Sequence, residues 1–185
     1  MKKIAVLISG SGSNLQAIID ACAENKIAAK VDLVISSRKS AFGLERAKNA
    51  GIDAIYSRDD KHIFELLIEH EIDLVVLAGY LRLIPETMVQ YFEGRMLNIH
   101  PSLIPAFSGE GYYGIKVHEA AIARGVKVSG ATVHLVNEEL DQGEILIQRT
   151  VPVLKTDDAT TLQGRILEVE HQIIVEGINV LLSRL

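Results

Sequence analysis

Asn98-Ile99-His100 is the segment whose residue types and spacing best allow catalysis. Residues two apart on a strand point to the same side, so Asn98 and His100 would present a carboxamide and an imidazole together. A carboxamide N–H can donate to a developing oxyanion, and histidine is the usual proton carrier near neutral pH. The same pair could be ordinary satisfied polar groups at a strand end. Pro101 and Pro105 stiffen the following loop, which suits a site wall or a plain turn. A second segment, Ser9-Gly10-Ser11-Gly12-Ser13-Asn14, precedes a helix, where free N–H groups favour an anion such as phosphate. Leu15 stands where a dinucleotide fingerprint has its third glycine, and no Gly-Lys-Ser/Thr follows, so a single phosphate monoester fits better. Ser13 or Asn14 could cap that helix. A third, Glu138-Glu139-Leu140-Asp141-Gln142-Gly143, is an acidic turn of a kind that is usually only solvated. Asp141 gains chemical meaning if the fold carries it to His100, where it would orient the imidazole and favour its charged form. His134 is another polar group on the preceding strand.

Such residues need a scaffold that gathers strand ends. Apolar runs at Lys3–Ile8, Val31–Ile35, Ile52–Tyr56, Asp73–Ala78 and Met96–Ile99 read as strands. Helix-period segments lie between them: Leu15, Ile18, Ile19 and Cys22 share one face, Leu44–Ala50 is closed by Gly51, Lys61–His70 carries Ile63, Leu66 and Leu67, and Pro85 opens a helix ending near Phe92. This alternation gives a parallel sheet covered by helices on both faces. After a loop over 101–114 and a helix over Ile115–Ala123, Lys127–Val136 and Glu144–Val151 read as an antiparallel strand pair, and Ala159–Leu185 as a final helix. The expected class is α/β: one domain over residues 1–185, a mostly parallel twisted sheet with an antiparallel pair in its C-terminal half. Ligands bind at the carboxyl ends of strands in such sheets. Ser9–Asn14, Ala78–Ile84, Asn98–Gly114 and Asn137–Gly143 all lie at such ends.

Composition narrows the function classes. The 185 residues carry 19 Lys+Arg against 24 Asp+Glu, a net charge of −5, and 48% are apolar. Disorder is excluded by that apolar content, and the acidic balance argues against a nucleic-acid-coating protein. No apolar run reaches the roughly 18 residues of a membrane helix. The basic-then-apolar start is too short for a signal peptide and lacks a cleavage site, so a cytoplasmic protein is expected. The single cysteine, Cys22, forms no internal disulfide, and no Cys/His spacing suits a metal. His62, His70, His118 and His171 lack ligand-like spacing, with His70 and His171 reading as surface helix residues.

Ile8-Ser9-Gly10-Ser11-Gly12-Ser13-Asn14-Leu15-Gln16, Leu77-Ala78-Gly79-Tyr80-Leu81-Arg82-Leu83, Leu97-Asn98-Ile99-His100-Pro101-Ser102-Leu103 and Leu140-Asp141-Gln142-Gly143 occur in this order. Together they resemble the phosphoribosylglycinamide formyltransferases, the folate-dependent glycinamide ribonucleotide transformylases of purine synthesis, over essentially the whole chain. The Asn-x-His-Pro-Ser-Leu motif is shared with other formyltetrahydrofolate enzymes; the N-terminal Ser-Gly-x-Gly-Ser-Asn loop points to the ribonucleotide. The resemblance implies a formyltransferase-like Rossmann variant with a phosphate-binding half at 1–100 and a folate and catalytic half at 101–185. It implies 10-formyltetrahydrofolate as co-substrate, glycinamide ribonucleotide as acceptor, and no metal, nucleic acid or membrane; a homodimer is compatible with it.

By the same resemblance, Asn98, His100 and Asp141 are catalytic, and Gly12, Ser13, Asn14 and Glu170 hold the ribonucleotide. Arg58, Leu81, Arg82, Leu83, Ile84, Asn98, Asn137, Glu138, Glu139, Leu140 and Asp141 line the folate pocket. The apolar character of Leu81, Leu83 and Ile84 suits a flat pterin ring. The chain departs from many relatives after Pro105, where Ala106–Gly114 replaces a Phe-Pro-Gly and a His-containing stretch. Its glycines predict a mobile loop, and folate contacts are not carried over to it. Rival readings are formyltetrahydrofolate hydrolase, which has an extra N-terminal domain where this sheet begins at Met1, and methionyl-tRNA formyltransferase, which has a basic C-terminal domain. From another class comes a non-catalytic nucleotide-binding α/β module. Whether Asn98, His100 and Asp141 share one cleft separates that module from an enzyme.

Overall fold

The computed structural model describes residues 1–185. Lys2–Ile8 (β1), Ser13–Ala23 (α1), Ala29–Ser36 (β2), Gly43–Asn49 (α2), Asp53–Tyr56 (β3), Asp60–Glu69 (α3), Leu74–Leu77 (β4), Glu86–Tyr91 (α4) and Met96–His100 (β5) alternate as the hydropathy pattern predicts. Ile115–Arg124 (α5), Val128–Leu135 (β6), Ile145–Pro152 (β7) and Ala159–Leu182 (α6) complete the chain. The seven strands form one sheet in the order β3-β2-β1-β4-β5-β6-β7. Its first five strands pair in parallel, while β6 runs antiparallel to β5 and β7 antiparallel to β6. The boundary at 100/101 therefore falls within one continuous sheet. No helix is long and apolar enough to cross a membrane.

The central strand β1 is fully buried from Ile4 to Ile8, which is why it reads as a continuous apolar run. Alternate residues serve opposite faces. Ile4, Val6 and Ile8 pack with Leu15 and Ile18 of α1 and with Leu162, Ile166 and Ile173 of α6. Ala5 and Leu7 pack on the other side with Ile63 and Leu67 of α3 and with Met88 of α4.

Several local details differ from expectation. Neither Ser13 nor Asn14 caps α1: Gly12 is the N-cap residue, in the left-handed region at φ 71°, with no side-chain cap. A Cβ at Gly12 would lie 2.6 Å from the Gly43 Cα, so the turn and the start of α2 approach as only two glycines can. Asn14 is drawn instead toward α6. His70 is not simply a surface residue; it is half-buried, with Nδ1 3.0 Å from Asp32 Oδ2, because α3 ends beside β2. His171 is likewise half-buried and its Nε2 has no partner. The last helix stops at Leu182 rather than Leu185.

α6 lies close on β6 through Gly177, where a Cβ would stand 2.5 Å from Val133 Cγ1. That approach sets the depth at which Glu170, two turns earlier on the same helix, reaches the sheet. Gly177→Val should lower the unfolding free energy by about 1–3 kcal/mol through overpacking, read as a lower denaturant midpoint. An unchanged midpoint would mean that α6 is free to ride off Val133.

Candidate active site

A cavity of about 770 Å³ opens at the carboxyl ends of β1, β2, β4 and β5. All four segments expected at strand ends line it, and α6 closes it with Gln163, Leu167 and Glu170. Asn98, His100 and Asp141 share it with Gly12, Ser13 and Asn14, and with Leu81, Arg82, Leu83, Ile84, Asn137, Glu138, Glu139 and Leu140. Arg58 does not. It stands exposed just past β3, outside the lining, and its carbonyl accepts from Arg82 Nη1 at 2.6 Å. The short strand β3 sits at the sheet edge, one strand too far out for its end to reach the cavity.

The β5–β6 register puts Asn98 opposite His134 and His100 opposite Thr132. Asn98 Nδ2 donates to His134 Nε2 at 3.0 Å, and His134 Nδ1 donates to the Leu135 carbonyl at 2.8 Å. One tautomer of neutral His134 satisfies both bonds, and burial of the ring holds its pKa below the ordinary histidine value. The bond turns the Asn98 amide and leaves its second N–H unused. Thr132 anchors the next loop, donating to the Ser102 carbonyl at 2.7 Å and accepting from Ile104 N at 3.2 Å.

His100, 5% exposed, donates from Nε2 to the Phe107 carbonyl at 2.9 Å. Its Nδ1 consequently faces Asp141 Oδ2 at 3.6 Å, within electrostatic reach but longer than a direct hydrogen bond. Asp141 adopts φ 57° in the turn after β6, and its Oδ2 accepts from Gly109 N at 2.9 Å. The glycine-rich segment after Pro105 thus packs against the carboxylate, and Gly109, Gly111 and Gly114 belong to the cavity wall. Asp141 Oδ1 lies 3.7 Å from His134 Nε2, so one carboxylate stands between two imidazoles.

At the other end Asn14 Nδ2 donates to Glu170 Oε2 at 2.8 Å. Burial pushes the Glu170 carboxyl up to about 7, only partly opposed by that bond. Asn14 Oδ1 is buried without a partner. Ser9 Oγ bonds Ser37 Oγ at 2.6 Å and accepts from Leu81 N at 2.9 Å, tying the glycine-serine turn to the apolar loop after β4. No group of three or more His, Cys, Asp or Glu side chains is arranged to hold a metal ion.

Arg38, Tyr112, Tyr113 and His118 also line the cavity without having been picked out from the sequence. Arg38 follows β2 directly, a strand-end position that could have flagged it. His118 had no such signal: it lies in the first turns of α5, 1% exposed, and burial lowers its pKa to about 4, with the neighbouring His100 contributing.

Comparison with known proteins identifies the family. The family described as formyl transferase matches residues 2–178. Phosphoribosylglycinamide formyltransferase of Haemophilus influenzae is 44% identical over 182 residues, covering 94% of this chain and 84% of that one. The chloroplastic phosphoribosylglycinamide formyltransferase of Vigna unguiculata is 43% identical over 97% of this chain, which spans only 61% of the plant protein's length. The crystal structure of glycinamide ribonucleotide transformylase 1 from Symbiobacterium toebii matches with a TM-score of 0.90 at 48% identity, covering 96% of this chain and 86% of that one. With its fold and nearly its whole length matched, this chain belongs to the formyl transferase family.

Proposed function

We propose that this chain is a cytoplasmic enzyme that transfers the formyl group of 10-formyltetrahydrofolate to the amino group of glycinamide ribonucleotide. The products are formylglycinamide ribonucleotide and tetrahydrofolate, in purine synthesis. The observation that carries this reading is the meeting of Asn98, His100 and Asp141 in one cavity with the Gly12–Asn14 turn. In this reading the phosphate rests on the turn's N–H groups, and Glu170 and Asn14 take the ribose or glycinamide end. The pterin lies against Leu81 and Leu83, which are 43% and 71% exposed, and against the turn over Asn137–Leu140.

The substrate amine forms a bond to the formyl carbon, and the carbonyl π pair moves onto oxygen. Asn98 donates its free N–H to that oxyanion, and a proton on His100 Nδ1 faces it from beside Asp141. The amine proton passes to the Asp141 carboxylate, the His100 Nδ1 proton goes to N10 of the folate, and the oxygen pair re-forms the carbonyl as the C–N10 bond breaks; the proton on Asp141 then returns to His100 Nδ1. The Phe107 carbonyl fixes the His100 ring so that Nδ1 is the nitrogen presented. Oxyanion donors of this kind each contribute about 10²–10³ in rate.

A spectrophotometric assay with 10-formyltetrahydrofolate, run with and without glycinamide ribonucleotide, tests the reading: tetrahydrofolate should form only when the ribonucleotide is present. Release without it would make the chain a hydrolase, and no release under either condition would leave a binding module. Asn98→Ala should lower kcat by about 10²–10³, whereas a change confined to KM would make Asn98 a positioning group. His100→Ala should lower turnover by roughly 10²–10⁴; wild-type turnover would remove it from the proton path. Glu170 carries a pH signature. Its folded-state pKa of about 7 lies above the ordinary 4.5, so on raising the pH the unfolded chain loses this proton first. The stabilisation from the protonated carboxyl is full below about 4.5 and lost as pH rises through about 7. Glu170→Gln should therefore remove a decline on the order of 2–3 kcal/mol between roughly pH 5 and pH 8, measured by denaturant unfolding. A variant that keeps the wild-type pH profile would show that Glu170 titrates as an ordinary carboxyl.

A further inference from the structure

In the proposed reading a phosphate dianion sits on Ser9–Asn14, a turn that contains no Lys or Arg. Two arginines line the cavity, Arg38 and Arg82. Arg82 is already engaged, with Nη2 3.2 Å from Asp60 Oδ1 and Nη1 on the Arg58 carbonyl. Arg46, beside the turn, is a strut: its Nε donates to the Ser11 carbonyl at 2.8 Å. The Arg38 guanidinium makes no ion pair.

The backbone of Arg38, by contrast, is firmly placed. Its N–H donates to Ser36 Oγ at 3.1 Å, and that hydroxyl donates to its carbonyl at 2.8 Å. Ile8 pairs with Ser36, and Ser37 N donates to the Ile8 carbonyl at 3.1 Å, so Arg38 leaves the sheet alongside the first residues of the turn. Within the same cavity Asn14, 8% exposed, holds a buried Oδ1 that lacks any protein partner. Tyr113 lines the same cavity, and its phenol is acidified first by its bond to Lys116 and further by the charge of Arg38. Of the two cavity-lining arginines, Arg38 is therefore the one whose guanidinium has no side-chain partner.

We propose that Arg38 is the counter-charge for the substrate's phosphate, closing it between the guanidinium fork and the N–H groups of the turn, and that this charge makes the site select a ribonucleotide over a ribonucleoside. The inference rests on the ribonucleotide reading of the site. The planar fork of arginine suits two phosphate oxygens at once, and Arg38, standing at the mouth, has no part in the formyl chemistry.

Wild type, Arg38→Gln and Arg38→Lys are compared in the transfer assay with glycinamide ribonucleotide and with the phosphate-free ribonucleoside. Arg38→Gln should raise KM for the ribonucleotide about 10- to 100-fold, the size of one charge-assisted hydrogen bond, with kcat and KM for the ribonucleoside unchanged. Arg38→Lys should recover part of the loss. Added salt should raise the wild-type KM more than that of Arg38→Gln. An unchanged KM, or an equal rise for both acceptors, overturns the assignment. Calorimetric titration with ribose 5-phosphate separates this idea from the proposed reaction: binding by wild type and not by Arg38→Gln supports the phosphate site even without turnover, and equal binding by both refutes it.

Discussion

The antiparallel pairing of β5 with β6 is the constraint on which the site depends. In the antiparallel register Thr132 stands opposite His100 and Leu135 opposite Leu97, so β6 runs back toward the start of β5 and the turn after it folds over to bring Asp141 to His100. The register then fixes the rest: Asn98 faces His134 across the ladder, and the carboxylate arrives 3.6 Å from one imidazole and 3.7 Å from another. Pairing of backbone groups, required of any buried sheet, thus sets which of these side chains meet.

Burying so many polar groups is tolerable because nearly every one has a specific partner. Asn98, His134 and the Leu135 carbonyl form one chain of hydrogen bonds, and His100 and the Phe107 carbonyl another. Each ring is oriented by its bond to a backbone carbonyl. Burial lowers the pKa of both His134 and His118, and the Asp141 carboxylate stands between His134 and His100.

The opposite end of the cavity follows a different logic. Gly12 and Gly43 let the first turn and α2 approach, while Gly177 lets α6 settle onto Val133. These contacts bring Glu170 and Asn14 together across 156 residues of chain. Their groups are less fully satisfied than those around His100, with a carboxyl raised to about 7 and a carboxamide oxygen left without a partner.

The order and type of the elements and the class of sheet were legible along the chain, because hydropathy periodicity is a local property that burial on one or two faces imposes directly. It also marked Asn98, His100 and the glycine-serine turn, since strand ends and helix starts carry recognisable chemistry. Resemblance added Asp141 and Glu170 to the site. Which distant groups meet became visible in three dimensions: that Asp141 reaches His100, that His134 orients Asn98, that His118 and Arg38 line the cavity, and that Arg58 stays outside it. Those outcomes depend on strand order, register and the depth of helix packing, which are set by contacts between residues far apart in the chain and leave no periodic trace along it.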